Sequence, residues 1–234
     1  MNTRLVIFAK APQPGAVKTR LIPALGADGA AELARAMLAH TLQQALAAGL
    51  DAVELCMSPA PGDPAWRGVV LPAGVDCTAQ GEGDLGERMD RAMQRALSLH
   101  PGPVLLIGTD CPALGSAYLR EAARQLTQHD AVLLPVADGG YVLIGLQAPC
   151  PAIFRHMAWS TPAVAAETLQ RLAALGLRVW QGPMLHDIDE AADLAHLPAG
   201  LWPRNIKQNR PPAQSVQAPA APDSIANSFP EERP

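Results

Sequence analysis

The chain alternates short, wholly apolar runs with longer stretches in which apolar residues recur every three or four positions. The first kind of run predicts strands and the second amphipathic helices. Residues 5–9, Leu-Val-Ile-Phe-Ala, read as a strand buried on both faces. Residues 29–48 read as a helix with Leu33, Met37, Thr41 and Ala45 on one stripe and Gly49 as its stop. Residues 52–57 predict strand two, followed by a Pro/Gly-rich loop and an apolar run at 69–71. Residues 84–99 predict a second helix, with Asp84 and Glu87 in the spacing of a capping box. Residues 104–107 are a four-residue apolar strand, and 116–128 a third helix. Strands at 131–136 and 141–146 bracket the turn signal Asp138-Gly139-Gly140. Thr161 as N-cap and Pro162 at the first helical position predict a helix to Leu175, stopped by Gly176. A last strand at 178–180 and a last helix at 190–197 complete the pattern.

Alternating strands and helices with apolar strands specify an α/β fold, a three-layer sandwich around a mostly parallel sheet. Ligands of such sheets sit beyond the carboxyl ends of the strands, so the segments after residues 9 and 107 are the places to look for chemistry.

Composition adjusts this picture in three ways. Residues 1–202 form one domain, whereas 203–234 contain seven prolines among Gln, Ser, Asn and Ala without apolar periodicity, and that tail is expected to be disordered. A net charge of −4 sets aside general nucleic-acid binding, which needs a basic face. No apolar run is long enough to span a membrane, and the run at 5–9 is too short for a signal-peptide core, so a cytoplasmic protein is expected. Cys56, Cys77, Cys111 and Cys150 are far apart and without zinc spacing, so reduced thiols are expected.

Against that acidic background, Lys10, Lys18 and Arg20 stand together on the Pro/Gly-built loop after strand one. Cations in that position suit a phosphate group. The loop is not a Walker A motif, because Val17 precedes Lys18 and Ala11-Pro12 occupies the earlier glycine position. The dinucleotide fingerprint and the serine-hydrolase elbow are also missing. Gly108-Thr-Asp-Cys-Pro112 sets Asp110 at a strand end, where a carboxylate either caps a turn or binds Mg²⁺ or Mn²⁺ bridged to substrate phosphates. Asp138, before two glycines, serves equally as a turn residue or as the group that orients a hydroxyl. Asp187 and Asp189 fall on one side of an extended segment and could share a metal, or answer the dipole of the last helix. Gln80 and Gly83 lie in a glycine-dense run that allows backbone to approach a base or ribose, and Trp159 offers a face for packing or stacking.

Taken in order, residues 10–21, 80–89, 108–112, Asp138-Gly-Gly-Tyr141, Trp159-Ser-Thr161 and Asp187-Ile-Asp189 resemble the DUF2064 proteins, a GT-A-like glycosyltransferase family of the nucleotide-diphospho-sugar transferase superfamily. The resemblance spans roughly residues 4–198. It implies a GT-A fold, a nucleotide or nucleotide-sugar donor, a small-molecule acceptor and a divalent metal, Mg²⁺ or Mn²⁺. It also implies that Lys18 and Arg20 contact phosphate; Lys10 on the same loop, with Gln80 and Gly83 in the glycine-dense run, are further candidates for nucleotide contact. Asp110 corresponds to the metal-binding acid, and Asp187 or Asp189 to the late acid completing the metal site. Asp110 and Asp138 are then the catalytic candidates. Thr19-Arg-Leu-x-Pro23 is also similar to a segment of sugar-nucleotide pyrophosphorylases. Three activities therefore stand open: glycosyl transfer, transfer of a nucleotidyl group from NTP to a phosphorylated small molecule, and nucleotide binding without turnover.

Overall fold

A computed structural model describes residues 2–99 and 102–203. The expected proline-rich tail lies outside them, apart from Pro203.

Seven strands form one sheet: β1 (Arg4–Lys10), β2 (Ala52–Ser58), β3 (Val75–Ala79), β4 (Val104–Ile107), β5 (Ala131–Pro135), β6 (Tyr141–Leu146) and β7 (Val179–Gln181). Their spatial order is β3-β2-β1-β4-β6-β5-β7, and only β6 runs against its neighbours. Successive side chains point to opposite faces, so Leu5 and Ile7 meet α1 (Ile22–Ala47) and α3 (Ser116–Gln125). Val6 points to the other layer, against α2 (Leu85–Leu99) and α4 (Val164–Ala174). These are the expected three layers. A smaller cluster of Leu21, Leu33, Met37, Ile188, Leu194 and Leu197 closes the far side of α1 with the C-terminal segment.

Four elements depart from the sequence reading. Helix α1 starts at Ile22, well before residue 29, with Pro23 in its first turn and a kink at Gly26, whose φ of 71° and ψ of 166° interrupt the spiral. That kink breaks the apolar period, which is why the early turn is invisible to it. Strand β3 lies at Val75–Ala79 and not at the apolar run 69–71. It is a largely exposed edge strand, so it carries little apolar signature. Thr161 does not cap α4: its hydroxyl donates to Ala158 O at 2.8 Å, and the helix begins at Val164 after Ala163. The last helix is a short 3-10 turn, Ala191–His196, in which Glu190 and Asp193 exchange capping bonds. The capping box expected at α2 is present, with Asp84 and Glu87 each accepting from the other's backbone N–H at 2.9 Å.

The sheet also buries a charge cluster that periodicity does not reveal. Glu54, 1% exposed on β2, accepts from Arg4 Nε at 3.1 Å, from Thr78 Oγ1 at 2.6 Å and from Arg95 of α2. Arg4 in turn reaches Asp76 at 2.7 Å. The cluster ties β1, β2, β3 and α2 together. Removing one member of a buried ionic group strands the others without their counter-charge. Glu54→Ala is accordingly expected to destabilise the fold by about 3–5 kcal/mol, read as a lower urea midpoint with an unchanged slope.

Candidate functional site

The carboxyl ends of β1 and β4 open into a cleft of about 520 Å³. Its walls include Lys10, Lys18, Arg20, Gln80, Arg88, Asp110 and Asp189. A second lobe of about 310 Å³ continues from it past Asp110, Tyr141 and Asp189 to Asp138, Trp159 and Asp187. Lys10, Lys18, Arg20, Gln80, Asp110, Asp138, Asp187 and Asp189 thus converge on one groove. Gly83 lines neither lobe.

Lys18 sits on the loop between β1 and α1 with a left-handed backbone, φ 47° and ψ 41°. Its side chain is only 6% exposed, and its ammonium lies 2.5 Å from Asp110 Oδ1 and 2.9 Å from Asp189 Oδ1. It also donates to Ile188 O at 2.7 Å. Burial alone would lower its pKa, but the two carboxylates outweigh burial and hold it above the ordinary lysine value. Arg20 is 62% exposed and lies 3.8–3.9 Å from Glu190 and Asp189, a loose pairing that leaves the guanidinium available.

The two late acids owe their position to the residue between them. Ile188 is fully buried beside Leu21 and Leu33, and its N–H donates to Asp110 O at 2.8 Å. Upstream, Leu185 exchanges backbone bonds with Pro135 and Ala137 at the end of β5. This brings Asp187 near Asp138, beyond β5, and Asp189 to Lys18. Burial first, then the neighbouring charges of Asp138, Asp189 and Asp193, push the Asp187 carboxyl up to about 6. The 3-10 turn draws its caps from Glu190 and Asp193, so Asp187 and Asp189 remain turned to the cleft.

Asp138 heads the β5–β6 turn, with Oδ1 accepting from Gly140 N at 2.8 Å. Gly139 has φ +89°, and a Cβ there would lie 2.1 Å from Pro162 O, so the turn docks against the start of α4 only with glycine. Trp159 stands edge-on to Tyr141, with ring centroids 6.5 Å apart. Cys111, next to Asp110, is buried, and burial raises its thiol to about 11, which leaves it unreactive.

Gln80 lines the groove, whereas Gly83 belongs to the loop that follows it. The Gln80 amide donates to Ala9 O at 3.1 Å and Cys56 O at 3.0 Å, and its oxygen accepts from Arg88 at 2.8 Å. Gln80 therefore holds Arg88 in the cleft. Arg88 escaped the sequence reading, although an arginine near the first turn of a helix opposes the dipole and is a usable signal. Gly83 supplies a φ of +109° in the loop that Arg91 braces through Gln80 O and Glu82 O.

The sequence profile described as uncharacterized protein conserved in bacteria, DUF2064, matches residues 41–161. The chain belongs to this family. It is also 34% identical to a protein of Desulfovibrio desulfuricans G20, provisionally named a nucleotide-diphospho-sugar transferase, whose crystal structure superposes with a TM-score of 0.76 over 83% of this chain and 85% of that one. Rv0371c of Mycobacterium tuberculosis H37Rv, crystallised with manganese, is 17% identical with a TM-score of 0.52, over 84% of this chain and 98% of that one. A CMP:2-keto-3-deoxy-manno-octonic acid synthetase complexed with CTP is 13% identical with a TM-score of 0.53, over 84% and 96%. The last two likenesses speak for the fold alone. Among curated proteins no match is found. The fold of this DUF2064 member is the nucleotide-diphospho-sugar transferase type that its sequence resembles.

Asp187 also makes a prediction about stability. Its raised pKa means that the folded chain holds this proton more tightly than the unfolded chain between about pH 4 and 6. Stability from this group is therefore lost as pH rises through that window, and the loss is complete above it. In metal-free buffer, Asp187→Asn is expected to melt close to the parent below about pH 4 and above it beyond about pH 6.5. A difference in melting temperature that stays flat with pH would contradict this.

Proposed function

We propose that this chain is a transferase that takes a nucleotide-activated donor, and that it moves a glycosyl group to an uncharged acceptor with the help of a divalent metal. One observation carries the reading: the balance of charge changes along the cleft. One lobe is lined by four cations, Lys10, Lys18, Arg20 and Arg88, against two acids, Asp110 and Asp189, which border both lobes, while the other adds Asp138 and Asp187 and has no lysine or arginine of its own. The cationic lobe suits a diphosphate. The acidic lobe suits hydroxyls, which donate to carboxylates, and Trp159 gives sugar C–H groups an apolar wall. A phosphorylated acceptor would meet repulsion there, which favours glycosyl over nucleotidyl transfer.

The donor set fits a hard divalent cation. Asp110 and Asp189 direct two carboxylate oxygens at one point, Asp187 lies in the adjoining lobe, and all are oxygen ligands open to substrate. Among the described residues no three His, Cys, Asp or Glu side chains form a ready metal cluster. Asp110 with Asp189 or Asp187 would therefore hold Mg²⁺ or Mn²⁺ together with the donor's phosphates. Such an ion, when bound, stabilises charge developing on the leaving diphosphate. Lys10, Arg20 and Arg88, on the walls of the same lobe, are placed to hold the same oxygens. Asp138, with Oδ2 unused by the turn, accepts the proton of the attacking acceptor hydroxyl as the new C–O bond forms and the bond to the diphosphate breaks. The nucleoside diphosphate then leaves from the cationic lobe.

Incubation with UDP- and GDP-sugars, against CTP and GTP, with Mn²⁺ present, tests this reading. Release of nucleoside diphosphate supports it, whereas pyrophosphate identifies the nucleotidyl reaction. Tight binding without either product identifies a binding protein. Asp138→Asn should lower kcat by about 10²–10⁴-fold with little change in the donor's KM. Arg20→Ala should instead weaken nucleoside diphosphate binding by about 1.5–3 kcal/mol, seen by calorimetry.

A further inference from the structure

The ammonium of Lys18 stands at the point where Asp110 and Asp189 converge, 2.5 and 2.9 Å from their oxygens. Its side chain is 6% exposed, whereas the two acids are 53% and 39% exposed. The acids thus face the groove, and the lysine fills the space between them from behind. Ile188 O, at 2.7 Å, completes a three-oxygen cradle for one cation. Both carboxylates belong to the pair that would hold a metal, so the lysine and a divalent ion draw on the same oxygens. An ion arriving alone would have to displace two charge-assisted hydrogen bonds and leave a buried ammonium without counter-charge, which is strongly unfavourable. A diphosphate in the adjoining cationic lobe changes that balance. The flexible four-carbon stem carries three rotatable donors that can turn to phosphate oxygens.

We propose that Lys18 is a resident counter-ion of the two-acid site, and that a nucleotide diphosphate draws it away and so opens the site to metal. The inference rests on the donor reading given above. It makes metal and nucleotide binding mutually reinforcing, since linkage requires each to tighten the other equally. It also assigns Lys18 two partners in sequence, carboxylate and then phosphate. A preformed metal site with a separate phosphate lysine would show no such dependence.

The test is Mn²⁺ binding to the full chain, followed by electron paramagnetic resonance and calorimetry, in the parent, Lys18→Met and Lys18→Met/Asp110→Asn. With Mn²⁺ alone, Lys18→Met should bind about tenfold or more tighter than the parent, and the double variant should lose that gain. With UDP, GDP or CDP present, and the solution equilibrium between Mn²⁺ and nucleotide subtracted, the parent should gain about tenfold in Mn²⁺ affinity and Lys18→Met much less. Equal or weaker Mn²⁺ binding by Lys18→Met overturns the inference. So does a parent that binds Mn²⁺ equally well with and without a nucleotide that it demonstrably binds. If no nucleotide binds, the donor reading fails, while the Mn²⁺-alone comparison still decides whether Lys18 guards the acids. Lys18→Gln, which keeps hydrogen bonds to the carboxylates without charge, carries the same comparison if Lys18→Met does not fold.

Discussion

The site depends on three backbone segments held together at one end of the sheet. Pairing of Ile7 with Ile107 aligns β1 and β4, so that the segment after β4 starts at the level of Phe8 and both strands open onto the same cleft. The third segment, 185–189, is held beside them by its bonds to Pro135 and Ala137 and by Ile188 N–H to Asp110 O. Ile188 is fully buried, and its burial decides that the acids on either side cannot turn inward. Lys18 then joins the loop after β1 to the other two segments through one ammonium. The ammonium is largely shielded from water, which strengthens a contact whose acids face the groove. In bulk solvent the same pairs would contribute little.

The burial of Glu54 has a different relation to function. Its cluster with Arg4, Arg95, Thr78 and Asp76 lies at the start of β1 and along the middle of β2 and β3, away from the groove. Packing alone would leave the exposed strand β3 weakly held at the sheet edge. The ionic cluster couples that strand to α2, and Arg91 of the same helix braces the Gln80–Glu82 loop that orients Arg88. The order of the cationic wall therefore rests partly on charges that never touch the cleft.

What was legible in the sequence follows from the range of the forces involved. Apolar runs report burial directly, so β1, β4, β5 and β6, with α2, were visible from period and length. The loop cations, Asp110 and the late acids were visible because each follows an apolar strand or precedes a helix, where chain direction limits where a side chain can go. Other features depend on contacts across dozens of residues. The Glu54 partners Thr78 and Arg4 are 24 and 50 positions away, and no local period can display them. The Lys18 cradle spans more than 170 positions, so its ligands were recognisable one by one while their shared cation was not.

A lysine on a cationic loop is ordinarily assigned to the anion it will meet. Here the same ammonium already has two carboxylates, and their pull outweighs the desolvation that would otherwise favour its neutral form. Arg20 is exposed and only loosely paired, so it can meet phosphate without breaking a contact. Lys18 cannot, because its partners must be exchanged and not merely added. Two cations on one loop therefore differ in kind: Arg20 is exposed and loosely paired, whereas Lys18 is buried and bound to two acids.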